Sequence, residues 1–277
     1  MVKFIGFVVK IEINGSYILK VPIFFVFLSI ETLKTDTMKR FILSILLIFS
    51  TVTLFAQEPT TTAEAPVSRP IKEFLSSFTA IDVDAPVILT LIKITDGEAP
   101  YIIYDTKGFY TSKFLAEVDK KSNTLKITER NDPKRESVTE VKVFFTNLTD
   151  ISISKAKTTV EGTLESQLLD IYISNDATFS ADIDVLDLVV GASGKSRVVI
   201  TGDTHYQTAN ISTAEYDARG LSTISTVAEA SHNATVKVDA VERLEAKTTT
   251  GGKVIYRTQP VILRSQVSLF GGEIIHM

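Results

Sequence analysis

An internal repeat limits what this chain can become more than any other feature. Leu148-Thr149-Asp150-Ile151-Ser152-Ile153-Ser154 returns 20 residues later as Leu168-Leu169-Asp170-Ile171-Tyr172-Ile173-Ser174, with five of seven positions identical. A unit this short cannot enclose a core alone and buries its apolar face only by stacking on its neighbours. Side chains alternate along a strand, so Ile171 and Ile173 share one face and Tyr172 takes the other. The period predicts coils of a β-solenoid, with Ile151 stacked on Ile171 about 4.8 Å away inside and Tyr172 outside. Val185-Leu186-Asp187-Leu188-Val189-Val190-Gly191 reads as a third copy 17 residues on. Thr250-Gly251-Gly252-Lys253-Val254-Ile255 returns after 20 residues as Phe270-Gly271-Gly272-Glu273-Ile274-Ile275. Beyond Leu148, only residues 240–246 would accommodate a turn or two of helix.

Upstream, residues 81–83, 87–94, 101–104, 125–128 and 138–145 are β-branched or aromatic runs bounded by Gly, Asp, Asn or Pro, and read as broader strands. Residues 109–118 fit a short helix or a strand pair, with strand preferred. Both ends of a solenoid expose sheet edges that invite unwanted pairing unless they are covered. Residues 71–147 are therefore expected to form an N-terminal β-layer capping residues 148–277. The fold class that follows is all-β: a right-handed parallel β-solenoid of about six or seven coils, β-helix-like, with that layer over one end. The last coil has no such cover, which points to a homo-oligomer or a partner at the C-terminal coil.

The N-terminus reads as an export signal. Met38-Lys39-Arg40 precedes an apolar run over 41–49 that is too short to span a bilayer, and a small residue, Ala56, stands before Gln57. Residues 38–56 are the expected signal peptide, cut between Ala56 and Gln57, which leaves no membrane span in the mature form. Residues 1–37 fit that signal poorly; translation is expected to begin at Met38, leaving the first 37 as a mis-annotated segment without a fold. A membrane anchor made from their two apolar runs is the competing reading. Residues 57–70, with three prolines and three consecutive threonines, form a linker.

Six of the 29 basic and three of the 33 acidic residues fall in residues 1–56, so the chain from Gln57 carries 23 against 30. An acidic surface without a basic run argues against nucleic acid. There is no cysteine, which excludes disulfides, a thiol nucleophile, a thiolate metal site and a lipidated N-terminal Cys.

Three stretches resemble the head GIN domain family of putative autotransporter adhesins, exported domains of unknown function typical of Bacteroidetes. Phe78-Thr79-Ala80-Ile81-Asp82-Val83-Asp84-Ala85-Pro86-Val87 is similar to its opening strand and turn, residues 148–154 to its first coil, and residues 244–256 to its closing Ser/Thr-Gly-x-Gly coil. Corners where that family carries glycine have Asn175-Asp176, Ala214-Glu215 and Ser231-His232-Asn233 here. Asn and Asp tolerate left-handed backbone and Ala does not, so the Ala214 corner is expected to be looser. Self-transport, which the family name implies, is not expected, because no strands for a membrane barrel follow the final coil. The resemblance implies an exported protein, periplasmic, outer-membrane associated or secreted, with adhesion as its label.

Candidate chemistry is sparse. Gly191-Ala192-Ser193-Gly194-Lys195-Ser196 imitates a phosphate-binding loop but has Val189 where the first glycine belongs, and a strand, not a helix, follows it; a solenoid corner explains its glycines. Asp182, Asp184 and Asp187 are the densest carboxylate group. β-Helix enzymes acting on polysaccharides use such acids for Ca²⁺ or to protonate a glycosidic oxygen. Here they read as a solvated outer face, and catalysis would require them to converge with Lys195 or Arg197. His205, His232 and His276 show no metal-ligand spacing. No catalytic, metal or cofactor site is assigned. The function expected is a non-enzymatic envelope or surface module binding protein or glycan. A carbohydrate-active β-helix enzyme and a self-assembling structural protein are the alternatives.

Overall fold

The structure, a computed structural model, describes residues 3–12, 18–27, 69–107, 113–130, 137–268 and 270–277. Residues 1–63 and 64–277 form two compact units. In the first, β1 (Lys3–Glu12) pairs antiparallel with β2 (Ile18–Phe27). Both runs are rich in Val, Ile and Phe, residues that favour strand. The signal segment, with Ala56 and Gln57, lies outside the described residues.

The second unit contains β3 (Ile71–Phe74), β4 (Ala80–Asp84), β5 (Ile88–Lys93), β6 (Tyr101–Asp105), β7 (Phe114–Asp119), β8 (Thr124–Glu129), β9 (Glu140–Phe145) and β10 (Asp150–Ser154). It continues with β11 (Lys157–Ser174), β12 (Thr178–Ala192), β13 (Arg197–Ser212), β14 (Glu215–Ser231), β15 (Thr235–Val238), β16 (Ala240–Thr248), β17 (Lys253–Tyr256), β18 (Ile262–Val267) and β19 (Glu273–His276). No helix occurs among the described residues. The segment 240–246 belongs to strand β16, because its inward Ala240, Leu244 and Ala246 complete existing columns.

Parallel pairing builds two faces. On the first, β8, β4, β10, β11, β12, β13, β14, β16 and β18 follow one another. On the second the order is β9, β5, β11, β12, β13, β14, β15, β17 and β19. Strands β11 to β14, of 15 to 18 residues, bend around the coil and so serve both faces. The result is a β-solenoid. Ile151 stands in register with Ile171 as expected, and the inward column runs Leu125, Ile81, Ile151, Ile171, Val190, Ala209, Ala228, Ala246. All eight are buried, while Tyr172 is 51% exposed.

The strands before Leu148 divide between two tasks. β4 with β5, and β8 with β9, are parallel rungs of the stack, the β8–β9 rung lying outside the β4–β5 rung although it comes later in the chain. The cap is antiparallel: β7 on β8, β6 on β9, and β3 on β6. It satisfies the edge that the first rung would otherwise present.

Two details differ from the sequence reading. The third copy is displaced by 19 residues, pairing Leu169 with Leu188 and Ile171 with Val190. A slip of two residues preserves which side chains face inward, so the apolar pattern alone fits 17 and 19 equally. Gly191 is a strand residue, not a corner: a Cβ there would stand 2.8 Å from Cδ1 of Tyr172, whose ring lies over it.

Corners repeat a left-handed turn. Asn175 and Asp176 (φ 55° and 62°), Gly194 and Lys195 (64° and 63°), and His232 and Asn233 (51° and 62°) occupy equivalent positions. At the corner expected to be looser, Thr213 and not Ala214 takes φ 55°. It is tied down: its hydroxyl accepts from Gly194 N at 3.0 Å and donates to Ser212 O at 2.6 Å, and its amide donates to Ser231 O at 3.3 Å.

Candidate functional site

Between the two main faces, each coil from β11 to β14 has a third short side. Its outward positions form columns because the rungs are in register: Glu165 pairs with Asp184, Asp184 with Asp203, and Asp203 with Ser222. The inward partners Leu164, Ile183 and Leu221 are buried, which fixes the carboxylates outward by alternation. At this level Gly202, at φ 109°, passes so close to Ile183 that a Cβ would stand 2.0 Å from its carbonyl oxygen.

Where this side turns into the next, an open groove of about 900 Å³ runs across the coils, from Asn147 and Thr149 beside β10 to Ser222 and Ile224 of β14. One wall carries Glu165, Asp184 and Asp203; the other carries Gln167, His205 and three aliphatics, Leu168, Leu186 and Ile224, exposed by 59%, 42% and 38%. Glu165 accepts from Lys93 Nζ at 2.8 Å, a contact that holds its carboxyl below the usual range. Asp184 and Asp203 have no side-chain partner among the described residues.

Asp182, Asp184 and Asp187 are thereby separated. Asp182 accepts from the hydroxyls of Thr163 and Thr201, on the coils to either side, both at 2.8 Å. Asp184 lines the groove. Asp187 lies near Asp170, whose carboxyl is raised by burial first and then by the charges of Asp150 and Asp187. Lys195 sits at a corner and Arg197 on the second face, 3.8 Å from Glu215. Asp182, Asp187, Lys195 and Arg197 therefore do not converge on Asp184 in one cleft.

The histidines disperse as well: His205 lines the groove, His232 lies 3.2 Å from the Ser212 hydroxyl, and His276 stacks on Tyr256. No group of three or more His, Cys, Asp or Glu fit to hold a metal occurs among the described residues. Arg197–Thr201 begins strand β13, so the glycine motif before it opens no helix. No described helix is long and apolar enough to cross a membrane.

Glu165 and Asp203 are groove residues that the sequence reading missed. Their signal was a spacing of 19 residues through Asp184, visible once that period replaces 17.

A family model described as putative auto-transporter adhesin, head GIN domain, matches residues 77–260, and the chain belongs to that family. No curated protein matches the chain. Among solved structures, a putative adhesin from Bacteroides fragilis is 17% identical, with a TM-score of 0.70 over 76% of this chain and 97% of the other. A putative adhesin from Parabacteroides merdae is 15% identical, with a TM-score of 0.60 over 76% and 96%. A putative lipid binding protein from Parabacteroides distasonis is 14% identical, with a TM-score of 0.60 over 75% and 96%. At these identities the likeness is one of fold.

Proposed function

We propose that this member of the head GIN domain family is a non-enzymatic module of the bacterial envelope that holds a protein or glycan chain along its lateral groove. The observation that supports this reading is the open groove itself, about 900 Å³, which crosses successive coils. A trough of that form accommodates a strand of polymer. An exported location, whether periplasmic, outer-membrane associated or secreted, agrees with the family and with the signal read at residues 38–56. Glycan and peptide arrays probed with the exported protein, alongside a depolymerisation assay on the same glycans, test the reading. Capture without cleavage is expected, and turnover of any bound glycan would refute the non-enzymatic role.

A second reading, self-assembly through the last coil, has its own observation. Among the described residues, strands β18 and β19 each pair on one side only, and Val267 and Phe270 are 52% and 83% exposed. Light scattering that shows a clean monomer at high protein concentration would remove it.

A further inference from the structure

The surface of the solenoid follows a rule of its own. Apart from Asp150, Asp170 and Asp187, which neighbour one another, many outward charges on neighbouring coils are paired with opposite charges: Lys155 with Asp84 at 2.8 Å, Lys237 with Glu215 at 2.7 Å, Lys247 with Glu229 at 3.1 Å, Arg264 with Glu245 at 3.1 Å and Lys253 with Glu273 at 3.0 Å. The groove breaks that rule. Glu165, Asp184 and Asp203 stand on three consecutive coils, in register, so their carboxylates repeat about every 4.8 Å. Like charges directly opposite across strands disfavour the fold, and among the described residues only Glu165 has a cation beside it, from Lys93 outside the column.

The facing wall is mixed, with exposed aliphatic side chains beside Gln167 and His205. Leu168, Leu186 and Ile224 remain exposed, and no Phe, Tyr or Trp lines the groove. Flat aromatic rings are what sugar faces stack on, and the groove offers none. Alternating cationic and aliphatic groups, by contrast, satisfy both walls at once.

Resting on the reading of the groove as a binding site, we infer that its ligand is a basic, extended polypeptide segment whose lysine or arginine side chains meet Glu165, Asp184 and Asp203 while its aliphatic side chains lie on Leu168, Leu186 and Ile224. The groove spans four steps between coils, about 19 Å, which fits roughly six residues of extended chain at about 3.3 Å each. In such a chain alternate side chains point to opposite sides, so one wall receives the bases and the other the aliphatics.

Fluorescence anisotropy of the exported protein with three labelled peptides, of alternating lysine and leucine, serine and leucine, and glutamate and leucine, tests the inference. The lysine peptide alone is expected to bind, more weakly as salt rises. The double variant Asp184→Asn with Asp203→Asn is expected to bind it about tenfold more weakly, the size of two exposed ion pairs lost together. Its melting temperature should equal or exceed that of the wild type, because repulsion is relieved. Leu186→Ser with Ile224→Ser should also weaken binding, and Glu273→Gln on the last coil should leave it unchanged. Equal binding of the serine peptide, or an unchanged affinity in the asparagine variant, would overturn the inference. Glycan binding that the serine variant loses and the asparagine variant keeps would overturn the cationic ligand yet leave the groove as a binding site. Absence of peptide and glycan binding in folded protein would overturn both.

Discussion

From β8 to β12 the inward positions are mostly aliphatic, Leu125, Ile81, Ile151, Ile171 and Val190 filling one column and Leu164, Ile183 and Val185 the side opposite. From β13 to β16 the same column holds Ala209, Ala228 and Ala246. The space released there is filled by Tyr216 and a buried polar chain. Gln207 Nε2 donates to the Tyr216 hydroxyl, Thr226 Oγ1 donates to Gln207 Oε1 at 3.2 Å, Thr223 and Thr226 lie 2.7 Å apart, and Thr223 donates to the Asp239 carbonyl at 2.8 Å. Identical rungs are thus held by two different principles. The aliphatic section depends on each side chain filling its layer; the polar section depends on several coils at once, because each group is satisfied by one from another layer.

Truncation should hurt the aliphatic section most. Ile171→Ala leaves a cavity in a fully buried column and is expected to cost about 2–5 kcal/mol in chemical denaturation; a loss under about 1 kcal/mol would mean that the ladder collapses readily around the gap.

In the polar section, Gln207→Leu fills much the same volume but strips the buried Tyr216 hydroxyl of its donor, an expected loss of about 2 kcal/mol. Tyr216→Phe on that background should restore part of the loss, since removing both partners costs less than removing one. Strict additivity of the two changes would show that the network is not coupled.

Acid should strike the same section. Burial pushes the Asp239 carboxyl upward, but the Thr258 hydroxyl and amide and the Arg257 guanidinium outweigh it and leave the pKa below the ordinary 3.8. A depressed pKa means stability that is present above 3.8 and lost as pH falls through the folded value. Other paired carboxylates titrate there too, so the quantity to measure is the difference from Asp239→Asn. The wild type should be the more stable protein at neutral pH, by about 1.5–3 kcal/mol for charge-assisted bonds, and the gap should close below pH 3.8. A gap independent of pH would remove the charge from the explanation.

The smallest effect has the opposite sign. Thr158 is buried in the aliphatic section, in register with Leu89 and Phe179, and its hydroxyl has no partner among the described residues. Thr158→Val should stabilise by about 1 kcal/mol, read as a rise in melting temperature; a fall would place an unseen hydrogen bond on that hydroxyl.

The groove shows where sequence reading stops. Asp184 was singled out with Asp182 and Asp187 because they are near in sequence, yet its neighbours across the coils are Glu165 and Asp203. Asp182 is held by two threonines, and Asp187 stands opposite Leu168, where its charge acts on Asp170. Proximity along a strand and proximity across a stack are different relations, and only the second builds a surface.

The amino-acid order alone determined the strand content, the stacking of coils, the pairing of Ile151 with Ile171 and the outward place of Tyr172, because alternation and a repeat of about twenty residues are local, periodic signals. The tertiary structure decided the rest. It set the 19-residue displacement of the third coil, which a two-residue slip leaves invisible to the pattern of buried and exposed positions. It placed the β8–β9 rung outside the β4–β5 rung, and it turned the upper interior from aliphatic to polar. Each of these depends on which distant rung a strand lies against, a choice made by packing and hydrogen bonding between layers and not by any residue's own preference.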